Sequence, residues 1–211
     1  MKNILKIFVV IVFTIGTIFP QGFKVKATGE QTFSFDDKKG RNQATFYSST
    51  PVEDITGLSN DVGGSASFNV ADIKTLKGTI SLSTASLKTG IEMRDGHLQS
   101  PDWLDAASYP KITFVIKSVG DVKSLSDNEL EAKVTGDFSV HGVTKQITAD
   151  VKMTYLDESE KTKKRAPGDL LGVEAKFNIT LSDYDVDNML MGQKVSDDIE
   201  ISVTIVGSNA K

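Results

Sequence analysis

Four stretches in the C-terminal half of this chain alternate apolar and polar residues almost without a break. In 130–140, Leu130, Ala132, Val134, Phe138 and Val140 alternate with Glu131, Lys133, Thr135, Asp137 and Ser139. In 147–155, Ile147, Ala149, Val151, Met153 and Tyr155 alternate with Thr148, Asp150, Lys152 and Thr154. Residues 171–181 and 199–205 repeat the pattern, the first with Leu171, Val173, Ala175, Phe177 and Ile179, the second with Ile199, Ile201, Val203 and Ile205. A period of two places successive side chains on opposite faces of a strand. One face is then buried and the other wet, which is the habit of antiparallel sheet and not of a parallel sheet covered on both sides.

The connections fit hairpins. His141-Gly142 can turn the first pair of strands, because glycine takes the positive φ that such turns demand. Residues 157–169 read as a long, polar, solvated hairpin loop. Upstream, 78–86 and 112–119 are further strands, and 33–35, 44–48 and 65–70 are weaker ones; Gly57, Gly63 and Gly64 suggest bends among them. The chain is therefore an all-β domain of about eight antiparallel strands. Alternation fits a closed barrel and a two-sheet sandwich alike. Within the inward rows, Ala132, Gly136, Ala149 and Ala175 interleave with large residues. Such a row either tiles a taper or leaves room for one small ligand, as eight-stranded barrels can do both.

The N-terminus bears on compartment. Lys2 and Lys6 precede an almost unbroken apolar run, Ile7 to Phe19, which Pro20, Gln21 and Gly22 interrupt. As a helix this run spans roughly 20 Å, short of the roughly 30 Å hydrocarbon core. With Val25 and Ala27 at the −3 and −1 positions, the pattern predicts a cleaved signal peptide over 1–27 and a mature domain over 28–211, periplasmic or secreted. Residues 1–27 hold four lysines and no acid, so their loss takes the formal charge from −4 to −8. An acidic surface argues against binding nucleic acid. The chain has no cysteine, so no disulfide stabilises it.

Residues 91–107 break the alternation and are too long for a simple hairpin. Ser100 can cap a helix with Pro101 at its first position and Trp103, Leu104 and Ala107 along one side. A second turn over 90–98 would set Ile91, Met93 and Leu98 against the barrel. An amphipathic segment spliced between strands in this way would lie across a barrel mouth as a lid. It also gathers Arg94, Asp95, His97, Asp102 and Asp105 around the only tryptophan. The chain has two histidines, His97 and His141, and no spacing typical of a metal site. No Gly-x-Ser-x-Gly turn, phosphate loop or dinucleotide loop is present, so the sequence requires no cofactor. An enzyme would have to use His97 with an acid such as Asp95 on a lipid-like substrate.

Two segments, "TASLKTGIEMRDGHLQSPDWLDAASYPKITF" (84–114) and "VTGDFSVHGVTKQITADVKM" (134–153), resemble the YceI-like family. The shared steps are Ser-Leu-x-Thr-Gly, Arg-Asp-x-His-Leu, Trp-Leu-Asp, Tyr-Pro-x-Ile-x-Phe and Gly-Asp-Phe-x-x-His-Gly-Val-Thr-Lys. "LSDYDV" (181–186) and "SSTPVEDITG" (48–57) depart from many members. The resemblance implies an eight-stranded antiparallel, lipocalin-like barrel with a short helical lid. It further implies a long isoprenoid or similar long-chain lipid held in the lumen, without catalysis. The candidate ligand-binding residues are then Trp103 and Leu104 on the lid, with Phe114, Phe138, Val151, Met153, Phe177 and Ile179 inside. Arg94 and His97 are placed at the rim, where they can hydrogen-bond a polar head group. An apolar rim of this kind also offers a surface on which two copies can pair as a symmetric dimer.

Overall fold

The computed structural model describes residues 21–210. Most of the expected leader lies outside these residues. The alternating stretches on either side of His141-Gly142 form one long hairpin. Its strands are β7 (Glu129–Val140) and β8 (Val143–Leu156), in register from Val140 opposite Val143 to Glu129 opposite Thr154. His141 and Gly142 have φ of 51° and 77°, the two positive values of a tight hairpin turn. A side chain on Gly142 would stand 2.5 Å from the Tyr109 ring, so glycine is also required by space.

The remaining strands are β1 (Glu30–Ser34), β2 (Gln43–Ser49), β3 (Asp54–Ser59), β4 (Val62–Asn69), β5 (Asp72–Ser83), β6 (Lys111–Ser124), β9 (Leu170–Thr180) and β10 (Asp198–Ser208). All pairings among them are antiparallel, in the order β1-β4-β5-β6-β7-β8-β9-β10-β2-β3. Ten segments occupy only eight positions. Strand β10 pairs with β2 from Tyr47 opposite Glu200 to Gln43 opposite Thr204, then meets β1 at Ser34 opposite Ser208. Strands β1 and β2 are thus two halves of one position, and β4 and β3, which pair with them, are two halves of the next. The result is a closed eight-position barrel with a helical lid.

The gap between β1 and β2 is bridged by a side chain. Asn42, fully buried, donates from Nδ2 to the Phe35 carbonyl at 2.8 Å. Its Oδ1 accepts from the Val206 N–H at 2.9 Å and from Arg165 at 3.1 Å. Arg165 also reaches Asp37 at 3.1 Å, so the loop between β8 and β9 is pinned at this point and is not wholly solvated.

Two expectations need correction. Strand β3 has no counterpart in the sequence reading, because its buried face is Ile55, Gly57 and Ser59, with a single large apolar residue to mark the period. Of the two turns expected in the lid, the one over 90–98 is the helix, α1 (Glu92–Gln99), and the one starting at Ser100 is not a helix. Ser100 ends α1 instead of starting a helix, its N–H and hydroxyl both donating to the His97 carbonyl at 2.9 and 2.7 Å. Residues 101–108 form successive turns, with Asp105 at a left-handed φ of 40°.

The inward rows fall as the alternation predicts. Leu130, Ala132, Val134, Gly136, Phe138 and Val140 are all buried along β7. Val173, Ala175 and Phe177 on β9 point the same way as buried Leu171 and Ile179, yet are only half-buried. They face an internal void. Phe177→Asp should therefore abolish cooperative folding or cost several kcal/mol, since a carboxylate facing this apolar lumen has no partner. Asn178→Asp, on the outer face of the same strand, should change stability by no more than about 0.5 kcal/mol. Thermal melts of the two variants compare them directly, and a wild-type melt for Phe177→Asp would reverse the assigned facing.

Candidate ligand-binding site

The void is a cavity of about 610 Å³ that runs down the barrel axis. That lies within the range of roughly 300–1,000 Å³ typical of small-molecule sites. Its width comes from the register. Ala132 stands opposite Val151, Val151 opposite Ala175, and Val134 opposite Ala149, so a small side chain recurs at the middle of three neighbouring strands. The deep end is walled by Phe35, Met153 and Leu171, each about 1% exposed. The other end reaches solvent among exposed Ile91, Met93 and Lys194. The base is closed and the mouth is open.

Below the mouth, three aromatic rings narrow the tube. Phe177 stacks on Phe114 at 6.3 Å between ring centroids and meets Phe138 edge-on at 5.3 Å. Phe138 in turn meets Tyr184 at 5.7 Å. Above them the lid crosses the mouth. Leu58 and Lys88 exchange two backbone hydrogen bonds of 2.8 Å, which fasten the strand leading into the lid to β3. Trp103 and Leu104 then drop into an apolar cluster with Leu87, Phe138, Tyr184 and Ile199. Asn188 donates to the Asp102 carbonyl at 3.1 Å and ties the 185–197 loop to the same lid.

The charged residues of the lid serve as its latch. Asp95 is buried and accepts from the Thr89 N–H at 2.6 Å and the Thr89 hydroxyl at 2.7 Å. These two hydrogen bonds, hydroxyl first, hold its carboxyl below the ordinary aspartate range. Arg94 donates to the Thr89 hydroxyl at 3.0 Å and forms an ion pair with Glu53 at 2.8 Å. Glu53 lies in the β2–β3 turn, so this pair joins α1 to the neighbouring hairpin.

All ten residues singled out in the sequence face the one cavity. Met153 and Val151 lie deep, Phe114, Phe138, Phe177 and Ile179 lie around the constriction, and Trp103, Leu104, Arg94 and His97 belong to the lid. The rim is less simple than expected. Arg94 is committed to Glu53 and Thr89, and Ile91 and Met93 are exposed at the cavity mouth instead of packed on the barrel. Asp95 accepts both of its hydrogen bonds from Thr89. Among the described residues, no three His, Asp or Glu side chains gather where they could hold a metal. Glu53, Thr89 and Lys194 were not legible as site residues, because nothing in a linear pattern brings the 50s or the 190s beside the lid.

The sequence pattern of the YceI-like domain matches residues 27–207. The chain belongs to the YceI-like family. A relative, a UPF0312 protein of Pseudomonas fluorescens, is 33% identical over 157 residues, 74% of this chain and 76% of that protein. Among solved structures, Burkholderia cenocepacia BcnA superposes with a TM-score of 0.64 at 19% identity, over 81% of this chain and 99% of that one. A polyisoprenoid binding domain from Saccharophagus degradans, implicated in plant cell wall breakdown, superposes with a TM-score of 0.63 at 14% identity. That likeness covers 87% of this chain and all of the other, and at such identity it shows the shared fold.

The latch of this YceI-like barrel has a definite pH dependence. A depressed carboxyl contributes stability above its unfolded pKa and loses it as pH falls through the folded value. The lid should thus stay closed at pH 5, and Trp103 fluorescence should move only below 3.8, the ordinary aspartate value. Asp95→Ala should expose Trp103 to quenchers already at neutral pH. A wild-type transition centred between pH 5 and 6 would show that another group holds the lid.

Proposed function

We propose that the protein is an exported, non-catalytic carrier that holds a long-chain isoprenoid or similar amphiphile in the barrel lumen. The observation that carries this reading is the one-ended apolar cavity of about 610 Å³ under a latched lid. An apolar chain gains roughly 25 cal/mol per Å² buried, so such a tube retains it without many polar contacts. The description of the Saccharophagus degradans structure as a polyisoprenoid binding domain supports the same ligand class. The apolar run at 7–19 supports export to the periplasm or the medium. A polar head would rest at the mouth among His97, Lys194 and the Arg94–Glu53 pair. Exposed Ile91 and Met93 supply an apolar rim that a symmetric dimer through the mouth would cover.

The test is mass spectrometry of an organic extract of the purified protein. A stoichiometric long-chain lipid is expected, and repeated preparations with an empty, water-filled lumen would overturn the reading. With stripped protein, affinity should rise by about 0.8 kcal/mol per added methylene until the lumen is full. Trp103→Ala should weaken binding by roughly 1–3 kcal/mol with the barrel still folded, while His97→Gln should do less. The opposite order, measured by titration calorimetry, would favour chemistry at His97 over a lid.

A further inference from the structure

Residues 21–27 end the stretch read from sequence as a discarded leader, yet they are built into the barrel base. Phe23 is 5% exposed, with its ring 5.8 Å from that of Phe68 and 5.5 Å from that of Tyr155. Phe33 completes the group, 5.8 Å from Phe68 and 5.5 Å from Tyr155. Half-buried Val25 and Ala27 pack on the same cluster. Three backbone hydrogen bonds fix the strap to three parts of the base: Phe23 N–H to Val70 at 2.7 Å, Lys24 N–H to Asp127 at 2.7 Å, and Ile73 N–H to Gln21 at 2.9 Å. The Lys26 N–H adds a fourth contact, to the Asp157 carboxylate at 3.2 Å.

Gly22 sharpens the point. A Cβ there would lie 2.2 Å from both the Val70 oxygen and the Ala71 carbonyl carbon, which are backbone atoms that cannot give way. The strap also follows the code of the strands. Phe23, Val25 and Ala27 turn inward, while Lys24, Lys26 and Thr28 face water. A segment that is cut away needs neither a glycine fitted against Val70 nor an aromatic matched to Phe68 and Tyr155.

We infer that residues 21–27 stay with the working protein as the plug of the barrel base, so that any removal of the leader occurs ahead of Gln21. Val25 and Ala27 are then core residues, and not the recognition positions of a peptidase. The inference rests on the export reading only for its cellular setting. The plug itself is independent of what the lumen holds.

The full-length gene, with its own leader, is expressed in a bacterial host and the purified protein is weighed intact. The expected mass places the first residue at Gln21 or earlier, an uncleaved chain included. A chain that begins at Gly22 or later, Thr28 above all, overturns the inference. Phe23→Ala in the same full-length gene supplies the second readout. It should lower the Tm by roughly 6–20 °C, the scale of a large-to-small core change in a domain of this size. An unchanged Tm overturns the inference too, because a residue that has been removed cannot affect stability. Should the variant not fold, the wild-type mass decides alone. Neither measurement involves a lipid, so an empty lumen would sink the carrier and leave the plug standing.

Discussion

The hydrogen-bond ladder that closes on β10 is the constraint from which the rest follows. This strand pairs with β9 on one side and, on the other, first with β2 and then with β1. Closure leaves the barrel without the unpaired strand edge that would invite association with other chains. It also fixes eight positions around the axis, and with them a bore that side chains can either fill or leave open. The join is the weakest part of the ladder, since two short segments stand in for one strand. Asn42 mends it by bonding Phe35 below, Val206 across and Arg165 outside, so a single amide replaces the missing backbone pairs.

Given that bore, residue size determines what the interior becomes. Large rings gather at the base around Tyr155 and below the mouth around Phe138, and the small residues of β7, β8 and β9 lie between them. The lid then turns a tube into a chamber. Its polar side chains bond to one another and to the neighbouring β2–β3 turn, while His97 and Lys194 line the cavity at the mouth. Charge here governs closure, and apolar surface governs occupancy.

The barrel was legible where apolar and polar residues alternate over long runs, as in β7, β8, β9 and β10. It was not legible in β3, where Gly57 and Ser59 occupy buried positions that carry no hydrophobic mark. The lid was legible as an interruption between strands and its helix as the turn over 90–98, but the part played by Ser100 was not. Ser100-Pro101 has the chemistry of a helix start, and here the serine hydroxyl caps the end of the preceding helix instead. The lining residues followed from strand facing alone. The partners of Arg94 and Asp95 did not, because Glu53 and Thr89 meet them through the closure of the sheet and the path of the lid. At 21–27 short alternation beside an apolar leader fits two patterns at once, and the inference drawn above rests on packing.

The half-buried lumen residues carry one more consequence. Val173, Ala175, Ile201 and Val203 are only part-buried where they line the cavity, so a barrel without a guest forgoes dispersion contacts that a close-packed interior would provide. A molecule that fills the bore supplies those contacts to the folded chain alone. Folding and loading are then thermodynamically linked, and the melting temperature becomes a measure of cargo concentration relative to its dissociation constant. Under the proposed carrier function, the guest would complete the hydrophobic core.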